Sequence, residues 1–126
     1  MTDKLLANID RDAESYEGVM AAYKLPKTTD EEKTTRAKAI EDASKHAAEV
    51  PLETARLATA ILSIVESVRS TTIPQAASDL TVATHLAEAA RAGAIENVRA
   101  NLPSIQDSAW VQKMEAQVQS VLHLDK

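Results

Sequence analysis

Residues 78–101 read SDLTVATHLAEAARAGAIENVRAN, with no proline to interrupt them, and they limit the folds open to this chain. At helical period, Asp79, Ala83, Leu86, Ala90, Gly93, Asn97 and Asn101 fall on one side. A stripe of this kind is expected to be core, yet one end carries an acid and the other two amides one turn apart. A buried amide left unpaired costs about 1–3 kcal/mol. Asn97 and Asn101 are therefore surface residues, a hydrogen-bonded brace between helices, or part of a site. Gly93 costs about 1 kcal/mol relative to alanine inside a helix, so it implies a close approach by another helix or a ligand.

The rest of the chain reads the same way. Residues 4–23 form a first helix on Leu5, Ile9, Tyr16, Met20 and Tyr23, with Asp12 one turn before Tyr16 on the same stripe. Leu25-Pro26 ends it. Thr28 with Glu31, or Thr29 with Glu32, has the spacing of a capping box for a second helix along Arg36, Ile40, Ala43, Ala47 and Val50. Arg36 heads this otherwise apolar stripe. It can snorkel, pair with Asp12 or Asp79, or hold an anionic ligand.

Pro51 is expected to break or kink the chain and open a third helix, 52–69. That segment is apolar over much of its surface (Ala55, Ala58, Ile61, Leu62, Val65, Val68) and belongs at the centre. Ser78 has the chemistry of an N-cap for the long helix, with Asp79 in its first turn. Ser104 or Asp107 caps a last helix lined by Val111, Met114, Val118 and Val121, with Trp110 at its edge. The expected fold is all-α, a bundle of about five helices in a single domain, 1–126.

Composition matters mainly for what it excludes. There is no Phe and no Cys, one Trp and two Tyr, so the core rests on Ala, Leu, Val and Ile and no thiolate site exists. Alanine-rich helices bury little area each, which favours oligomerisation. The formal net charge is −5, without a basic patch for nucleic acid. No apolar run approaches membrane length and the N-terminus lacks the apolar core of a signal peptide, so a soluble cytoplasmic protein is expected. His46 with Glu49 and His85 with Glu88 share a spacing that reverses the one used by carboxylate-bridged metal bundles, and no metal site is expected.

In combination, several segments resemble the formiminotransferase-cyclodeaminase and methenyltetrahydrofolate cyclohydrolase family. They are DRDAESYEGVMAAYKLPKTTDEEKTTR, EVPLETA and SDLTVATHLAEAARAGAIENVRANLPSIQD. The markers are Asp12 and Tyr16 leading to Leu25-Pro26-Lys27, then Arg36, Val50-Pro51-Leu52, Ser78-Asp79, Gly93-Ala94, Asn97-Val98 and Asn101-Leu102. The resemblance implies a homodimeric helical domain acting on a tetrahydrofolate derivative as substrate, with no separate cofactor. Members of the family release ammonia from a 5-formimino group while closing the methenyl bridge, or hydrolyse that bridge. By position it makes Asp79 the catalytic candidate, and Asp12, Tyr16, Lys27, Arg36, Asn97 and Asn101 the substrate-binding ones. Two departures accompany it. The glycine-rich segment with which members begin has no match here, and Thr71-Thr72-Ile73-Pro74 stands where a Gly-Asn pair is common.

Overall fold

The computed structural model describes residues 1–123, and among these there are four α-helices, two short 3-10 turns and no strand. Helix α1 spans Thr2–Tyr23, α2 Asp30–Arg69, α3 Ala77–Asn101 and α4 Ser108–His123. The 3-10 turns, Pro74–Ala76 and Leu102–Ser104, lead into and out of α3.

The count is four rather than five because Pro51 lies inside α2 instead of dividing it. At a rise of about 1.5 Å per residue, α2 is a rod about 60 Å long, and α1, α3 and α4 all pack against it. A proline within a helix removes one ladder bond, because its missing N–H would have met the carbonyl four residues earlier. That carbonyl belongs to Ala47. It is not left bare, since the Asn101 side-chain N–H reaches over from the end of α3 and donates to it at 3.3 Å. The same amide also donates to the Asn97 carbonyl at 2.9 Å. Asn101 thus supplies the donor that Pro51 lacks. Pro51, buried, stays in the helix with help from another helix.

The helix ends follow side-chain chemistry where it is available. Of the two possible capping boxes at α2 the structure uses Thr29 with Glu32: Thr29 Oγ1 accepts from the Glu32 N–H, and the Glu32 carboxylate accepts from Thr29. Asp107, not Ser104, caps α4 by accepting from the Trp110 N–H at 3.0 Å. Ser78 is not an N-cap. The turn at Pro74–Ala76 starts the coil early, Ala76 occupies the cap position, and Ser78 falls inside the first turn of α3.

The core joins Ala48, Leu52 and Ala55 of α2, Ala94, Ile95 and Val98 of α3, and Met114, Val118 and Val121 of α4, with Trp110 packed at its edge. The inner face of α3 is therefore not the expected stripe. Its buried residues are Ala87, Ala94, Ile95 and Val98, about 100° around the helix from Leu86, Gly93 and Asn97. Leu86 is 67% exposed. Helix α1 turns Asn8, Ser15 and Ala22 inward, one residue per two turns. Since α1 and α3 both lie against α2, a trough is left between them with α2 as its floor.

Candidate functional site

The trough comprises two cavities that share Asp12 and Asn97 among their lining residues. One, of about 300 Å³, is walled by Leu5, Asn8, Ile9 and Asp12 of α1 and by Ala90, Gly93, Ala94 and Asn97 of α3, over Pro51 and Thr54. The other, of about 250 Å³, is lined by Asp12, Ser15, Tyr16, Val19, Ala47, Asn97 and Asn101. Four of the residues singled out in the sequence, Asp12, Tyr16, Asn97 and Asn101, thus meet in one place. They come from distant parts of the chain and are brought together because α1 and α3 use the same side of α2.

Each polar group here has a distinct condition. The Asp12 carboxylate has no ion pair or hydrogen bond among the described residues, and neither does the Asn97 side-chain amide. Asn101 is committed to Ala47 and Asn97, so it is both a brace and a wall. Ser15 donates to the Asp12 backbone carbonyl at 2.8 Å, which fixes its hydroxyl near the carboxylate's own turn. Asn8, only 4% exposed, donates to Thr54 Oγ1 at 3.1 Å and accepts from Arg11 at 2.8 Å. Among the described residues no cation lines either cavity. The trough therefore presents one uncompensated carboxylate, a phenol and three amides over small apolar residues.

Gly93 gains its meaning from this setting. A Cβ at this position would meet nothing within 4 Å among the described residues, so none of their helices approaches it closely. The glycine faces the open trough.

The other three candidates lie elsewhere. Arg36 donates twice to the Tyr23 carbonyl, at 3.3 and 3.2 Å, and its guanidinium stands 5.5 Å from the Tyr23 ring centroid. It caps the C-terminus of α1, where unmet carbonyls and the negative helix end favour a cation, and it pairs with neither Asp12 nor Asp79. Lys27 is exposed in the loop between α1 and α2. Asp79 is exposed in the first turn of α3, eighteen residues and so about 27 Å of helix before Asn97. A single chain does not bring it to the trough.

Asn8, Ser15 and Thr54 escaped the sequence reading. The signal was present on α1: Leu5, Asn8, Asp12, Ser15 and Val19 recur at three and four residues, with three polar members. A polar run on an inner face marks either a hydrogen-bonded seam or a site, and Asn8 belongs to both. Among the described residues no group of three His, Asp or Glu side chains could hold a metal ion, and no helix is long and apolar enough to cross a membrane.

Residues 1–120 match the family model described as formiminotransferase-cyclodeaminase. A protein named methenyltetrahydrofolate cyclohydrolase from Methylorubrum extorquens is 35% identical over 118 residues, covering 94% of this chain and 57% of its own length. The formimidoyltransferase-cyclodeaminase of Sus scrofa is 32% identical over 119 residues, 94% of this chain and 22% of its own. That of Gallus gallus is 35% identical over 108 residues, 86% of this chain and 20% of its own. The chain thus spans little more than half of the first relative and about a fifth of the others.

Proposed function

The chain belongs to the formiminotransferase-cyclodeaminase family, and on that premise we propose that it is a folate one-carbon enzyme unit whose substrate occupies the trough between α1 and α3. The reaction is a cyclodeamination of 5-formiminotetrahydrofolate or a hydrolysis of 5,10-methenyltetrahydrofolate. Both pass through a carbon held between two nitrogens, with a positive charge spread over the three atoms. In the first, N10 adds to the formimino carbon, a proton moves to the departing nitrogen, and ammonia leaves as the methenyl cation forms. In the second, water adds to that carbon, loses a proton, and one C–N bond opens to give the formyl product.

The observation that carries this reading is the isolation of Asp12. Among the described residues it is the only carboxylate lining the trough, and no cation among them neutralises it. A carboxylate in that condition attracts a developing cation and accepts or returns a proton, while amides orient water or the pterin. Asn97, with an uncommitted amide, is the orienting group closest in kind. Asn101 contributes shape, and Tyr16 closes the side.

The active form is a homodimer acting in the cytoplasm on a reduced folate. Its support is the outer half of α2, the link after it and the start of α3, where Ile64, Val68, Ile73, Val82 and Leu86 are each exposed. Asp79 lies on that same portion, so its catalytic role requires a second chain to carry it to the trough. Lys27 would likewise meet the anionic part of the folate from outside the cavities.

The test measures both reactions and binding of 5-formyltetrahydrofolate by calorimetry. Asp12→Asn is expected to lower kcat at least about 100-fold while leaving the helical circular dichroism unchanged. Full activity in that variant would move the chemistry out of the trough. Asp79→Ala separates the two acids: loss of activity in that variant, partly restored when its chains are mixed with Asp12→Asn chains, would assign Asp79 to the partner's site.

A further inference from the structure

A larger opening lies on the other side of α1. It measures about 520 Å³ and is lined by Arg11 of α1, Glu49, Leu52, Glu53 and Arg56 of α2, and Trp110, Lys113, Met114 and Gln117 of α4. Two helix faces build it, each with residues at steps of three and four: 49, 52, 53 and 56 on α2, and 110, 113, 114 and 117 on α4. Its base is apolar, since Leu52 and Met114 belong to the core. Trp110, half-buried, supplies an aromatic wall.

The charges on its rim are unequal. Arg11 and Glu53 form an ion pair and cancel each other. Arg56 and Lys113 have no ion pair or hydrogen bond among the described residues, against the single remaining carboxylate of Glu49. Helix α2 has other acids, and α4 has Glu115, but Glu115 is held by Arg99 at 2.8 Å on the far side of α4. The net result is a positive cleft with an apolar floor, opposite in sign to the Asp12 trough. Its volume lies within the range of small-molecule sites, which combine an apolar lining with a few polar anchors.

We infer that the α1–α2–α4 cleft binds a planar aromatic anion, its ring against Trp110 and its acidic group between Arg56 and Lys113. Arginine offers a fork that matches carboxylate or phosphate, and lysine a point charge. The Lys45 ammonium stands over one face of the Trp110 ring, 5.7 Å from its centroid, so the other indole face and the Leu52–Met114 floor take the ligand's ring. The acid can be a carboxylate or a phosphate, and the inference does not depend on the folate reading of the trough.

Trp110 is the only tryptophan of the chain, so its fluorescence reports on this cleft. The full chain is titrated separately with benzoate and with adenosine 5′-monophosphate, exciting beyond the absorption of both. Cyclohexanecarboxylate and sulfate serve as controls for ring and charge. The expected result is a saturable change with at least one aromatic anion, weakened at least tenfold in Arg56→Gln/Lys113→Gln and weakened by added salt in the unmodified protein. Asp12→Asn should leave it unchanged, which separates this site from the trough. Tighter binding of the nucleotide would identify a phosphate ligand, and of benzoate a carboxylate. A response that is linear without saturation, one equalled by sulfate or by cyclohexanecarboxylate, or one indifferent to both the double variant and salt would overturn the inference.

Discussion

The inner and outer halves of the molecule are built from the same helices to different standards. Near the middle of α2, where α1, α3 and α4 all reach it, Ala48, Leu52, Ala55, Ile95, Val98 and Val118 are sealed from water. Toward the end of α2 only α3 accompanies it among the described residues, and Val65 and Ala87 are the last fully buried apolar residues on either helix. Two helices bury one seam and leave every other face wet, whatever their sequence. Ile64, Ile73, Val82 and Leu86 are exposed for that reason. Hydrophobic character alone does not create a core here. The number of neighbours does.

Equivalent truncations in the two halves should have very different costs. Ile95→Ala in the inner half should cost about 2–5 kcal/mol, read by urea denaturation. Leu86→Ala in the outer half should stay within about 0.5 kcal/mol if it faces only water. A large cost at Leu86 that depends on protein concentration would mean that a second chain covers it.

The next effect concerns the brace. Asn101→Ala strips the donor from a buried carbonyl and should cost about 1–3 kcal/mol. In a Pro51→Ala background the backbone N–H returns to Ala47, and the same substitution should cost at least about 0.5 kcal/mol less. Equal costs in both backgrounds would show that Asn101 does not stand in for the missing N–H. Gly93→Ala should raise stability by about 0.5–1 kcal/mol, because helix propensity improves and the new methyl meets open space. If the trough holds a ligand, the same methyl should weaken its binding.

Acid has the smallest effect. Asp107 is held below the usual carboxylate range by the Trp110 N–H and Lys45, and Glu115 by Arg99. Both bind protons less readily when folded, so their stabilising effect is complete above the ordinary carboxylate pKa of about 4 and fades as pH falls through the lowered values. The docking of α4 should loosen there first, seen as a change in Trp110 emission before helix content falls.

Most of the fold was legible because helix length, caps and an Ala-rich composition all point one way. Thr29 with Glu32 and Asp107 behaved as local chemistry dictates. Pro51 did not, since its helix survives on a hydrogen bond from Asn101, fifty residues away, and no local rule carries that information. The α3 stripe failed for a related reason. Leu86, Gly93 and Asn97 share a periodicity with the true inner face one residue along, and only tertiary packing chose between them. In the candidate site Asp12, Tyr16, Asn97 and Asn101, grouped in the sequence only through the family resemblance, line one cavity, whereas Arg36 is drawn away by the bare carbonyl end of α1. Asn8 was hidden because an amide inside a first helix looks like surface until its partner Thr54 is seen.

The gap at Pro51 has a dynamic consequence. A helix whose ladder is interrupted at one rung, and repaired by a side chain from elsewhere, need not open as one piece. Amide hydrogen exchange along α2 should divide near that rung into two blocks of unequal protection. The block before it would follow the fate of Asn101, and the block after it would follow the packing of Leu52 and Ala55. The floor of the trough lies where the two blocks meet, so a molecule bound there would slow exchange on both sides together.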